Sequence, residues 1–156
     1  MADPADYASD LAALLRRERI AHLATLRQGA PMTSMTLFLP ETGFAGFLVH
    51  VSRLAWHTQD MAQDPNVALS VSETDDGRAD PFTLKRISIR GKAELLENPQ
   101  PQLQALWLQR FPKQAINFEL ADFSFWRIAP RDARFVAGFG RIYNLSAAAL
   151  AACSKS

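Results

Sequence analysis

Between Ile20 and Val51 the chain breaks into three short strand-like runs separated by turn chemistry, and this spacing confines it to an antiparallel sheet. The runs are Ile20 to Leu26, Met32 to Leu39 and Phe44 to Val51. Arg27-Gln28-Gly29-Ala30-Pro31 and Pro40-Glu41-Thr42-Gly43 separate them, and neither is long enough for a helical crossover. An antiparallel meander is therefore expected. Further strands are expected at Val67 to Ser72, Phe82 to Leu96, Phe123 to Ala129 and Ala133 to Ala137, with Gly91 marking a bulge or bend. Six or seven such strands with two or three short helices predict a mainly β chain with peripheral helices, closed into a small antiparallel barrel.

The helices are expected at the edges. Tyr7, Leu11, Leu14 and Leu15 share one face of a helix spanning 3–19. Pro99-Gln100-Pro101 opens a second helix with Leu103, Leu106 and Trp107 on its apolar side, and Phe111-Pro112 closes it. The alanine-rich tail 146–156 reads as a frayed helix or an arm. At 156 residues the chain suits a single domain, 1–156. Seventeen basic against sixteen acidic residues leave a formal charge of +1, with no clustered excess for nucleic acid. Cys153 is the only cysteine, so no disulfide forms within one chain. No apolar run has the length of a membrane span, and the first residues lack a signal-peptide pattern; a cytoplasmic protein is the expectation.

Chemistry concentrates around Leu48 to Val71, which reads as strand, helix, turn and strand. If Ser52 begins the helix, free backbone N–H groups and the helix dipole gather there. Arg53 adds a planar fork of donors, and His57 stands four residues on, so the three could seat a phosphate. An ordinary N-cap on a solvated face explains the same residues. The histidines, His22, His50 and His57, show no metal-binding spacing, and no metal is expected. His22 reads as structural; His50 is placed to line the same pocket as Ser52. There is no GxSxG and no cysteine nucleophile in a core, so no catalytic residue is assigned. Ser34 and Thr36 fall on one face of their strand and Met35 and Leu37 on the other. Arg86 heads a row with Ser88, Arg90 and Lys92 and is the cation best placed to meet an anion or a heterocycle edge.

The order of several segments resembles the flavin-binding split barrels related to pyridoxamine 5'-phosphate oxidase. They are Ala21-His-Leu-Ala-Thr-Leu26, Ser34-Met-Thr-Leu-Phe38, Ser52-Arg-Leu-Ala-Trp-His-Thr58, Arg86-Ile-Ser-Ile-Arg-Gly91 and Phe135-Val-Ala-Gly-Phe-Gly-Arg141. The Ser-Arg-Leu-Ala-x-His-Thr run and the Ala-Gly-Phe-Gly-Arg ending look most like the branch that includes haem-utilisation proteins. The resemblance implies a homodimer of six-stranded split barrels with FMN at the interface. It implies a flavin phosphate near Ser52 and Arg53, with His57 supporting it. It puts the ring edge against Ser34, Met35 and Thr36, near His50 and Val51, with Arg86 where the oxidase has a glutamine. Arg141 would come from the partner. The oxidases carry arginine at Ser34 and lysine at Leu54, and an Arg-Leu-His-Asp-Arg run where this chain has Arg141-Ile-Tyr-Asn-Leu145. Pyridoxamine phosphate is therefore not the expected substrate. The expected function is an FMN-dependent oxidoreductase acting on an unidentified small molecule or electron donor. The alternatives are a haem-binding or haem-utilisation protein, and a non-catalytic flavin or deazaflavin binder. The branch's haem proteins use a histidine near the C-terminus, and this sequence has none after His57.

Overall fold

Gln28 and Gly29 adopt positive φ angles of 53° and 82°, the geometry of a two-residue hairpin turn. The turn joins β1 (Ile20–Arg27) to β2 (Ala30–Leu37) in full register, from Arg27 opposite Ala30 to Ile20 opposite Leu37. The computed structural model describes residues 3–156. After a 3-10 turn at Pro4–Asp6 comes α1 (Ala8–Arg17), and after β2 a two-residue β3 (Leu39–Pro40). Then follow β4 (Phe47–Ser52), α2 (Trp56–Gln63), β5 (Asn66–Ser72) and β6 (Arg86–Leu95). The chain ends with α3 (Pro101–Arg110), β7 (Phe123–Val136), β8 (Ile142–Ser146) and α4 (Ala147–Ala152).

The strands form one antiparallel sheet in the order β2-β1-β5-β6-β7-β4-β3, with β8 added to β7. The expected meander holds for β1 and β2 and then breaks. β4 crosses to pair with β7 along its whole length, and meets the second run only through β3, at Leu39 opposite Leu48. The chain passing from β2 through Phe38 into β3 thus links the two ends of the sheet and curls it into a split barrel. The barrel wall is the six strands β1, β2 and β4 to β7, with β3 a short continuation. The eighth strand, β8, follows the expected corner at Gly138-Phe139-Gly140 and lay unread in the sequence.

β7 is one strand where two were expected. Its first half pairs with β4 and its second half with β8, while β6 runs beside both. The halves meet at a bulge, where the β6–β7 register steps from Arg90 opposite Asp132 to Gly91 opposite Pro130. A Cβ at position 91 would lie 2.3 Å from the Ala129 carbonyl oxygen, so the strands approach this closely only because of glycine.

Strand alternation sends Ala21, Leu23, Val49, Val51, Leu69, Val71, Ile87, Ile89 and Phe135 into the barrel. Leu11, Leu14 and Leu15 of α1 cover one opening. The tail is no frayed arm: Leu150 and Cys153 are buried in the same core, and Arg16 donates to the carbonyls of Ser154 and Ser156. A second, smaller core lies outside the barrel, where Trp107 and Phe111 from the α3 region pack on Phe125. Among the described residues no helix is long and apolar enough to cross a membrane.

Gly91→Ala should lower the free energy of unfolding by about 2 kcal/mol, since a methyl there overlaps backbone that cannot move without opening the bulge. Urea denaturation measures this; a loss inside about 0.5 kcal/mol would show that the bulge accommodates a side chain.

Candidate functional site

Ser52 ends β4, and α2 begins four residues later at Trp56 with no side-chain cap. The expected serine cap is therefore corrected. The Ser52 hydroxyl donates to Asp122 Oδ2 at 2.5 Å and accepts from the Leu54 amide at 3.1 Å, closing a turn. The Arg53 amide donates to the Asp122 carbonyl at 2.6 Å. Arg53 sits in that turn, so it and His57 are not helical neighbours one turn apart. A phosphate placed at Ser52 would meet the Asp122 carboxylate, which already holds the hydroxyl. His57 is half-buried in the first turn of α2; burial lowers its pKa, and the charge of Asp60 works against that shift.

Asp60 anchors α2 across the barrel end. Its buried carboxylate accepts from Thr25 Oγ1 and Arg27 Nη1, both at 2.7 Å. The Arg27 guanidinium in turn lies 4.0 Å from the centre of the Trp56 ring.

The remaining site residues separate to different faces. Ser34 and Thr36 stand opposite Leu23 and Ala21 and turn toward the barrel interior; Thr36 is buried and its Oγ1 has no hydrogen-bond partner. Met35 points outward, opposite His22, and is 63% exposed. Val51 is interior and Ser52 exterior on β4. His50 shares the Ser52 side, as expected, but the second core occupies that side. Its ring stacks on Phe118 at 4.2 Å and touches Phe125 at 4.6 Å, Phe123 at 5.4 Å and Trp107 at 5.9 Å. Nδ1 is buried without a partner, and burial pushes the pKa down to about 4. Arg86 folds back, donating to the carbonyls of Phe82 and Leu84 at 3.0 and 2.9 Å. Arg141 donates to the Asp6 carbonyl at 2.6 Å. Within one chain, then, Arg86 and Arg141 lie at one end of β6 to β8, each engaged with backbone carbonyls, while Arg53 lies at the opposite end of β7, beyond Ser52 and Phe123.

His22 is not the enclosed structural histidine that its place in a strand suggests. It projects from the outer face of β1, exposed, and its ring makes no hydrogen bond with a described residue. A groove of about 690 Å³ runs beside it, lined by Arg17, Glu18, Arg19, Ile20, Ser72, Glu73, Thr74, Asp76 and Arg78. Arg17 pairs with Glu18 and Glu73, and Arg78 with Asp76 and Glu73, whereas Arg19 forms no ion pair with a described residue. The alternation of β1 carried the signal: buried Ala21 and Leu23 force His22 outward beside Ile20. Inward from the groove the outer face holds a patch of short side chains, edged by Met35, Arg90 and Arg134. Ala24 faces Ala68, His22 faces Ser70, and Ser70 faces Ser88.

The barrel and its sequence together define the class. The family model of pyridoxamine 5'-phosphate oxidase matches residues 8–137, and the chain belongs to that family of split barrels. Heme oxygenase HutZ of Vibrio cholerae is 28% identical over 84% of this chain and 77% of its own length. The chloroplastic heme oxygenase HOZ of Arabidopsis thaliana is 34% identical over 71% of this chain, which spans only 33% of that protein. In three dimensions, a heme binding protein from Mycobacterium smegmatis superposes with a TM-score of 0.80 and 23% identity, over 97% of this chain and 61% of that one. Both of these sequence relatives are named as heme oxygenases.

The buried His50 ring implies a pH dependence of stability. The folded state holds the ring neutral, so the unfolded chain takes up the proton first as pH falls below the ordinary 6.5. Stability should fall from pH 6.5 toward about 4 and lose nothing further from this group below that. The urea midpoint of His50→Phe, whose ring suits the aromatic box, should drop less over this range than that of the unaltered protein. Equal drops would assign the dependence to other groups.

Proposed function

We propose that this protein binds haem, with His22 as the iron ligand and the outer-face groove as its seat. The observation that carries the reading is an unhindered imidazole in a groove whose rim holds Arg19, a cation with no acidic partner among the described residues. Haem is a flat apolar ring edged by two carboxylates. Ile20 and the short side chains of the adjoining sheet face suit the ring, and Arg19 suits a carboxylate. The two curated relatives named as heme oxygenases support the same choice of ligand. Bound haem would supply iron redox and oxygen chemistry, while the protein fixes axial ligand, orientation and access. FMN finds less support within one chain, where Asp122 occupies the Ser52 hydroxyl and Leu54 replaces a cation.

The reading includes a homodimer. Ala24, Ala68, Ser70 and Ser88 form a low patch between Met35 and Arg90 against which a second copy can rest, and a two-fold pair would cover each His22 groove from the other side.

Hemin added to the purified protein should give a saturable, shifted Soret band, and His22→Ala should weaken binding by about tenfold or more, a loss of about 1.4 kcal/mol. FMN titrated in parallel reads through quenching of its fluorescence. Saturable FMN quenching with an unshifted Soret band would replace haem by flavin. An unchanged hemin affinity in His22→Ala would move the seat elsewhere. Light scattering should give twice the chain mass, and Ser70→Arg, which sets a long cation in the low patch, should give the monomer.

A further inference from the structure

A second cleft, of about 460 Å³, opens between α2 and the adjoining ends of β6 and β7, walled chiefly by Val51, Arg53, Thr58, Leu95, Asp122 and Trp126. It lies at the barrel end that α2 covers and shares no residue with the His22 groove. Thr58 and Trp126 are 6% and 8% exposed, yet Thr58 Oγ1 and Trp126 Nε1 have no hydrogen-bond partner. Native interiors seldom leave such atoms unpaired, and here the two residues that carry them line one cavity. Val51, Ala62, Leu95 and the indole supply apolar surface, and Gln59, Gln63 and Ser124 add polar groups to the lining. At the rim, Arg53 is exposed and its guanidinium makes no ion pair or hydrogen bond with a described residue. Asp122 stands at the same rim with its Oδ2 held by the Ser52 hydroxyl.

We propose that this cleft binds a small carboxylic acid carrying a second acceptor oxygen and a short aliphatic body, an oxo or hydroxy acid. The indole N–H is a donor only, so the buried end of the ligand must present an acceptor, and the Thr58 hydroxyl turns to donate to it or accept from it. The carboxylate lies outward against Arg53. The aliphatic body fills the space beside Val51 and Leu95. The Asp122 charge repels a second carboxylate, so the site takes monoacids over dicarboxylates.

The probe is α-ketoisocaproate, titrated into uniformly ¹⁵N-labelled protein. The chain has three tryptophans, and loss of one indole N–H signal in Trp126→Phe assigns that of Trp126. This signal should shift saturably, while those of Trp56 and Trp107 stay in place. Thr58→Val, which keeps the shape and removes the hydroxyl, and Arg53→Ala at the surface should each raise the dissociation constant about tenfold. Both variants should keep the hemin affinity of the unaltered protein, because the cleft is separate from the His22 groove. An absent or linear shift, or unaltered affinity in both variants, would overturn the proposal and leave the cleft to water alone. Should Thr58→Val fail to fold, Arg53→Ala carries the decision.

Discussion

The guanidinium of Arg110 joins three parts of the molecule at one point. It comes from the last turn of α3 and donates to the carbonyls of Arg16 and Phe38, each at 3.0 Å, and to that of Glu18. Carbonyls at a helix C-terminus have no intrahelical donor, so Arg110 closes the end of α1 from outside. The Phe38 carbonyl belongs to the crossing that turns a sheet into a barrel. Burial lowers the Arg110 pKa, with repulsion from Arg19 adding to the shift, but the rings of Phe38 and Phe111 at 5.2 and 5.6 Å offer it their faces. One charge thus fastens helix, crossing and outer core. The segment it fixes runs directly into Arg17, Glu18 and Arg19, so the rim of the His22 groove is set by a residue that never reaches it.

β4 shows how a single strand serves two interiors. Phe47, Val49 and Val51 fill the barrel, while Leu48, His50 and Ser52 face the other way, where aromatic rings beneath α3 enclose His50. An alternating strand with both faces covered has no side left for an open site along its length. Openings arise only where the strand ends, and Ser52 and Arg53 are at that end. The Asp122 backbone and carboxylate meet them there, which turns the end of β4 into a braced corner. α2 closes the remaining gap incompletely, and the cleft beside Thr58 and Trp126 is what remains.

Local chemistry in the sequence located most elements. Hairpin residues at Gln28-Gly29, the helix-opening Pro101 and the glycine in β6 each stand where their backbone demands require. The partner of β4 was illegible because pairing between distant strands leaves no local mark: the runs ending at Val51 and beginning at Phe123 are separated by about half the chain. The same reason hid the second core. Trp107, Phe118, Phe123 and Phe125 look like scattered apolar residues until the fold brings them around His50. At the candidate site, the faces of Ser34, Met35 and Thr36 followed from alternation alone. The Asp122 contact with Ser52 did not, because a hydrogen bond spanning seventy residues has no sequence signature. His22 was legible in principle from the period-two burial around it.

The C-terminal segment has a property that its packing creates. Cys153 is the only thiol; it is 1% exposed, its Sγ–H donates to the Ala149 carbonyl at 3.3 Å, and burial raises its pKa. Disulfide reagents attack thiolates that they can reach, and here both conditions fail while α4 stays docked. Labelling must wait for the tail to lift from Arg16 and the barrel, a partial opening less costly than full unfolding. The lone sulfur therefore acts as a chemical clock built into the chain, one that times the release of the segment that covers it.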